Sequence, residues 1–246
     1  MDIKRLIALP LLGCTAICCG LAAVRDTAEF AAAQTDSGVG PLSRSTVDID
    51  IKQMTTIEAL LEIGRKSGNC LGAVLFSRSI ASAEISPIRA SNISVGALLQ
   101  RLLGADKGWA IIERNNCIVL QPSGEKPGFL AARIPSFQMP SQPLEVASSA
   151  LDTALLATQG KPQSHSGVWG TASSISAETA SPIVGPLRLK SESVETILSI
   201  LASTAKSTMW LAYPAETKQP WTFIRYGESR DVIRHKLAAI LTILPE

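Results

Sequence analysis

Only two of the 246 residues are histidines, so any chemistry must be built from a short inventory. His165 lies in "KPQSHSGVWG", between Ser164 and Ser166. A serine and a histidine with a distant aspartate would make a nucleophilic hydrolase, and a small secreted hydrolase using the His165 loop is the alternative function. Neighbours in one loop seldom reach triad geometry, and no Gly-x-Ser-x-Gly elbow is present. His235 sits between Arg234 and Lys236, where a solvated helix face accounts for it. Metal ligation lacks a His/Cys/Asp cluster at ligand spacing. Phosphate binding lacks a glycine-rich loop between strand and helix. The charged set in "GESRD", Glu228 to Asp231, suits a helix N-terminus. The expectation is a non-enzyme, with no catalytic, cofactor-binding or metal-binding residue.

The five cysteines divide by position. Cys14, Cys18 and Cys19 lie in "MDIKRLIALPLLGCTAICCGLAA", where Lys4 and Arg5 precede an uncharged apolar run from Leu6 to Val24. That order is an export signal, and residues 1–23 are expected to be a signal peptide or lipoprotein leader. "LLG" before Cys14 resembles a lipobox, which would make Cys14 a lipidated first residue and anchor the chain to a membrane. Cleavage after Ala22 or Ala23 competes with it, as does a retained helix of near-spanning length. Cys70 and Cys117 remain for the exported part. Their number suits one disulfide and equally suits two small buried hydrophobes.

Charge excludes one class of partner. With 23 basic and 21 acidic residues the formal net charge is +2, and Lys and Arg form no stripe interleaved with aromatics. No nucleic-acid groove is expected. Hydrophobic residues make up 46% and aromatics 4%, so the core must be aliphatic.

The elements that would position these residues recur. Residues 24–45, a mix of Ala, Gly and Ser, read as a linker. Then come a strand at "VDIDI", a helix over 56–67, apolar strands in "CLGAVLF" and "AEISPIRAS", a helix over 93–104, and a hairpin of "WAIIE" and "CIVLQ" turning at Asn115–Asn116. Thr55 or Thr56 can cap the first helix, and Gly68 can end it. After a linker at 123–130 the order returns, with "ARIPSFQM" as a strand and helices over 144–158 and 193–206. A strand at "GPLRLKS" and a hairpin of "TMWLAYP" and "WTFIRYG" complete it. "SVGALLQRLL" from Ser94 aligns with "SVETILSILA" from Ser193, each followed by a tryptophan, Trp109 and Trp210. Such long-period similarity marks tandem modules. The expected fold is α+β: two tandem β-α-β-β-α-β-β domains, 46–122 and 131–227. The second carries a Ser- and Gly-rich insertion at 161–182, and an amphipathic helix follows at 228–246. Self-contained copies would each keep their own sheet.

These residues resemble the secretin and TonB N-terminus short domain. In the first copy the resemblance rests on "TIEALLEIGRKSG", "SVGALLQRLLGADKGWAI" and "CIVLQP"; in the second it rests on "FQMPSQPLEVASSAL" and "VGPLRLKSESVETILSIL". It covers residues 46–227 and departs at the insertion. It implies a periplasmic or outer-membrane-associated module that does no chemistry and docks other envelope proteins through strands and helix faces. The strands opened by Cys70 and Cys117 belong to one sheet in the resembled fold, so a disulfide between them is possible. Register decides it, since a one-residue slip turns a side chain to the other face. The final helix, with Val232, Ile233, Leu237, Ile240 and Leu241 together, is expected to pack onto the second copy, or else to dock a partner.

Overall fold

Alternation and capping set the elements locally. The computed structural model describes residues 40–103, 109–122, 127–160, 181–214 and 219–245. In chain order the first half contains α1 (Pro41–Arg44), β1 (Thr46–Ile51), β2 (Met54–Thr55), α2 (Thr56–Ser67), β3 (Cys70–Val74) and α3 (Arg78–Ala81). It continues with β4 (Glu84–Ile85), β5 (Ile88–Ser94), α4 (Val95–Leu103), β6 (Trp109–Arg114) and β7 (Cys117–Pro122). The second contains α5 (Gly128–Ala131), β8 (Arg133–Met139), β9 (Gln142–Pro143), α6 (Leu144–Thr158), β10 (Ile183–Val184) and β11 (Leu187–Ser193). It ends with α7 (Val194–Ala205), β12 (Thr208–Ala212), β13 (Trp221–Arg225) and α8 (Arg230–Ile243). Helix α2 starts in a capping box, with Thr55 accepting from the Glu58 N–H and Glu58 from the Thr55 N–H, and stops at Gly68 with φ 70°. The β6–β7 turn places Asn115 and Asn116 at φ 49° and 56°, the left-handed pair that a two-residue hairpin needs.

The two halves repeat their connections in detail. Ribbon β1–β5 is antiparallel, as is β8–β11, and the short pairs β2–β4 and β9–β10 match likewise. Asn92 (φ 52°) and Ser191 (φ 54°) each take the left-handed conformation three residues before a helix begins. The helix-opening amides find equivalent acceptors: Val95 N–H on Ser45 O at 2.8 Å, and Val194 N–H on Ala132 O at 3.1 Å. Even the residues expected to be linker take part. The one-turn helices α1 and α5 precede β1 and β8 and bury Ser43 and Leu130. Among the described residues, regular structure thus begins at Pro41 and Gly128, ahead of 46 and 131.

The two halves do not keep separate main sheets. The main sheet has five strands in the order β13-β12-β3-β7-β6. Strand β12 of the second half lies parallel to β3 of the first, with Trp210 opposite Gly72 and Ala212 opposite Val74. The Leu75 N–H extends the ladder to Ala212 O at 2.8 Å. Independent domains were expected because each half's hairpin pattern is complete in itself. Nothing in that pattern records that one hairpin's outer edge is filled by the other half. Val39–Glu246 is accordingly one compact unit.

Sheet pleating sends alternate residues to two cores. Leu71, Ala73, Ile118, Leu120, Met209, Leu211 and Ile224 face a cluster built from α2, α4 and α8, which contribute Leu60, Ile63, Leu98, Leu99, Leu237 and Ile240. Cys70, Val74, Cys117, Val119, Trp210, Ala212, Trp221 and Phe223 face the other, built from α6 and α7 with Leu151, Leu155, Ile197 and Leu198. A sheet covered on both faces needs strands that are apolar throughout, and β3, β7 up to Gln121, and β12 are buried residue after residue. Helix α8 packs into this first cluster, against α2 of the first half and beside Met209, Leu211 and Ile224 of the second, with Lys236 bonded to Phe223 O. Its stripe meets the face that carries α2, and Arg78 fixes its end through Nε to Leu241 O at 2.9 Å and N–H to Pro245 O at 2.7 Å.

Cys70 and Cys117 stand directly opposite each other on the parallel strands β3 and β7, with Cα atoms 4.6 Å apart, and form a disulfide. Both point into the second cluster. Forty-seven residues separate them, and loop closure of that size stabilises by about 3–4 kcal/mol in the chain-entropy model. Thiol counting on denatured, unreduced protein should find neither Cys70 nor Cys117 reactive, and Cys117→Ala should lower stability by about 2–4 kcal/mol. Two reactive thiols from these positions would contradict the bridge. At the junction of the halves, a Cβ on Gly72 would lie 2.2 Å from the Trp210 ring. Gly72→Ala should therefore cost about 1–3 kcal/mol as overpacking, read as a lower melting temperature; an unchanged melt would show that the indole does not lie on Gly72.

Candidate interaction surfaces

Each expected site residue has a definite place or none. Cys70 and Cys117 are buried and bridged, so they serve the core. Cys14 and His165 lie outside the described residues, as do the leader 1–23 and the insertion except for Ser181 and Pro182. His235 is exposed on α8. Among the described residues no three His, Cys, Asp or Glu side chains converge to hold a metal ion, and no helix is long and apolar enough to cross a membrane. What remains to consider is surface: a cleft, a smaller cavity and an edge of the main sheet.

The cleft lies between α2 and α8, has a volume of about 710 Å³, and is floored by Met54, Leu61, Ile233 and Leu237 with Tyr226 at its side. Glu228 builds its wall. This carboxylate is 4% exposed and accepts from Arg225 Nε at 3.1 Å and Lys236 Nζ at 2.7 Å. Lys236 also donates to Phe223 O at 3.0 Å, which ties α8 to β13. The "GESRD" charges thus serve as a clamp on the last helix as well as its N-terminal turn, where Ser229 accepts the Val232 N–H.

Tyr226 is the other fixed point of this wall. Its ring lies against Gly64 of α2, where a Cβ would meet it at 2.2 Å, and its hydroxyl donates to Asn69 O at 2.8 Å. Asn69 in turn donates to Ser45 Oγ at 2.9 Å and Leu42 O at 3.3 Å. One chain of polar contacts therefore links α1 and the residue after it to the turn before α8.

A smaller cavity of about 310 Å³ is lined by Arg114, Arg133, Glu192 and Glu195 beside α5 and α7. Glu195 is buried in the first turn of α7, where the helix dipole favours a carboxylate, and Arg114 Nη1 lies 3.6 Å away. The arrangement is a structural ion pair between the halves, since Arg114 belongs to β6 and Glu195 to α7.

The main sheet has two edge strands, β13 and β6. Strand β6 pairs with β7 and, among the described residues, has no strand on its other side. Trp109, Ala110, Ile111 and Ile112 are half-buried, which is unusual for an edge that carries no charge along four residues. Periodicity identified the strand in the sequence but could not show that it ends the sheet. The clamp on α8 was missed too, because its partners are brought together only by the packing of α8.

No protein-family model matches the chain, and comparison with curated proteins finds no match.

The two tyrosines of the chain, Tyr213 and Tyr226, both belong to the first core cluster. Burial pushes the Tyr213 phenol up to about 12 and shifts Tyr226 in the same direction. In the unfolded chain both ionise near the ordinary value of ~10. Above pH ~10 the unfolded chain has lost protons that the folded one keeps. Stability is therefore whole below pH ~10 and falls as pH rises toward 12. A spectrophotometric titration should show no tyrosinate step near pH 10 while the fold persists; an ordinary step in folded protein would contradict the burial of both rings.

Proposed function

We propose that this chain is an exported, non-enzymatic protein-interaction module of the bacterial cell envelope. In this reading it is built from two copies of a small module resembling the secretin and TonB N-terminus short domain, fused through one sheet. It works in the periplasm or at the outer membrane and binds other envelope proteins. The observation that carries the reading is the junction itself. Two units with matching ribbons, matching helix-opening hydrogen bonds and matching left-handed residues join by parallel addition of one strand to another. Strand addition needs only main-chain groups for affinity and alternate side chains for specificity. A module that already joins its own copy in this way has a surface suited to joining a partner.

The test places photo-crosslinking side chains at Ile112 on β6, Ile233 beside the cleft and Val146 on the exposed face of α6, in cells that export the chain. Envelope fractions should yield a crosslinked partner from at least one position and not from a buried control at Leu98. Export should be seen as periplasmic or membrane-bound protein, and mass spectrometry of its N-terminus should begin at a lipidated Cys14 or near Val24. Cytoplasmic retention with no crosslink from any position would end this reading. His165→Ala should leave crosslinking unchanged; loss of an esterase or peptidase activity on that substitution would favour the hydrolase instead.

A further inference from the structure

Strands β12 and β6 hold the same place in the two halves, yet only one of them is covered. Each follows the second long helix of its half and is the first strand of the closing hairpin, paired antiparallel with the next. Each turns a tryptophan toward its own half's helices, Trp210 into the second cluster and Trp109 against the first. The outer edge of β12 is filled by β3, parallel, with the Trp210 indole lying over Gly72. Trp210 is wholly buried as a result. The same edge of β6 has no strand on it among the described residues, and Trp109 is half-buried.

We propose that the β6 edge is a docking site for an extended apolar segment of a partner protein, added parallel to β6 with a glycine against Trp109. The proposal rests on the interaction-module reading and names the kind of partner. The chemistry follows from the covered copy. A residue with a Cβ at the position of Gly72 would run into the indole, so the incoming segment needs glycine there. Leu211 and Ala212 lie opposite Ala73 and Val74; by the same register, small or β-branched apolar residues should follow the glycine, opposite Ala110 and Ile111. A second copy of this chain does not supply such a strand from β3, because β3 is already flanked by β12 and β7. Strand β13, the other edge of the main sheet, has no glycine between Trp221 and Arg225, so the occupant is a partner protein with a free segment of the pattern apolar-Gly-apolar-apolar.

The test uses the full chain and a synthetic peptide carrying the sequence of Asn69–Phe76 with Cys70→Ser and two added C-terminal lysines. Amide hydrogen exchange should show new protection confined to β6 when the peptide is present. The Gly72→Val form of the peptide should bind at least tenfold more weakly. Trp109→Ala in the protein should weaken binding by a similar factor, and Ile112→Lys, on the other face of the same strand, provides a second disruption should the first variant not fold. The proposal is overturned if the Gly72→Val peptide binds equally well, if protection falls outside β6, or if β6 becomes protected without peptide as protein concentration rises, which would make a second copy the occupant. Failure here with continued envelope crosslinking from Ile233 or Val146 would remove the edge site and leave the interaction-module reading standing.

Discussion

The structure depends on the pairing of β3 with β12. Two strands more than a hundred residues apart meet in parallel, and only because position 72 has no side chain can the Trp210 ring lie across the joint. Glycine inside a strand weakens it by about 0.5–1 kcal/mol through backbone entropy. Covering an indole completely returns more than that, since large side chains contribute about 1.5–3 kcal/mol when fully buried. The exchange favours the joined sheet. Once it forms, the halves share the main sheet while each keeps its two-stranded ribbons, and the main sheet's two faces become the floors of the two cores.

That arrangement explains the cysteines and the composition together. A central sheet with helices on both faces cannot alternate polar and apolar residues. Its middle strands must be apolar at every position, as "CLGAV" and "TMWLA" nearly are. The pleat then assigns Cys70 and Cys117 to one face and Leu71 and Ile118 to the other. The register is direct, cysteine opposite cysteine, so the bridge locks β3 to β7 beside the joint with β12. Trp210, Trp221 and Phe223 sit on this same face. Trp221 donates its indole N–H to Ser148 on α6 at 3.0 Å, which satisfies a polar atom that burial would otherwise penalise.

Local structure was legible in the sequence, and assembly was not. Helix α2 occupies the residues its caps imply, and the inward stripes of α2 and α4 are the ones their periodicity marks, because both signals are written within a few residues. The mixed α+β class follows from the same signals. The sharing of the sheet is a long-range pairing; the clue to it was Gly72 within an apolar run, where a strand glycine signals close approach of another group. The one-turn helices at Pro41 and Gly128 escaped because four residues carry no period. Helix α8 packs beside second-half strands, as its stripe implies, and also reaches α2 and Arg78 of the first half, a long-range contact that the stripe alone does not record.

The crossing of α8 shows why the two halves cannot be equivalent even though their connections repeat. In the second half α6 is fifteen residues long against twelve for α2, and it covers its face of the sheet together with α7, the aromatics and the disulfide. The first half has a shorter α2, which reaches β12 but shares the cover of Met209, Leu211 and Ile224 with another helix. Leu237, Ile240 and Leu244 supply that cover from the end of the chain. Since Met209, Leu211 and Ile224 come from second-half strands added to the sheet, the need for α8 is itself created by the junction. Sharing a sheet widens it, and the added width on one face is roofed by a helix from the end of the chain.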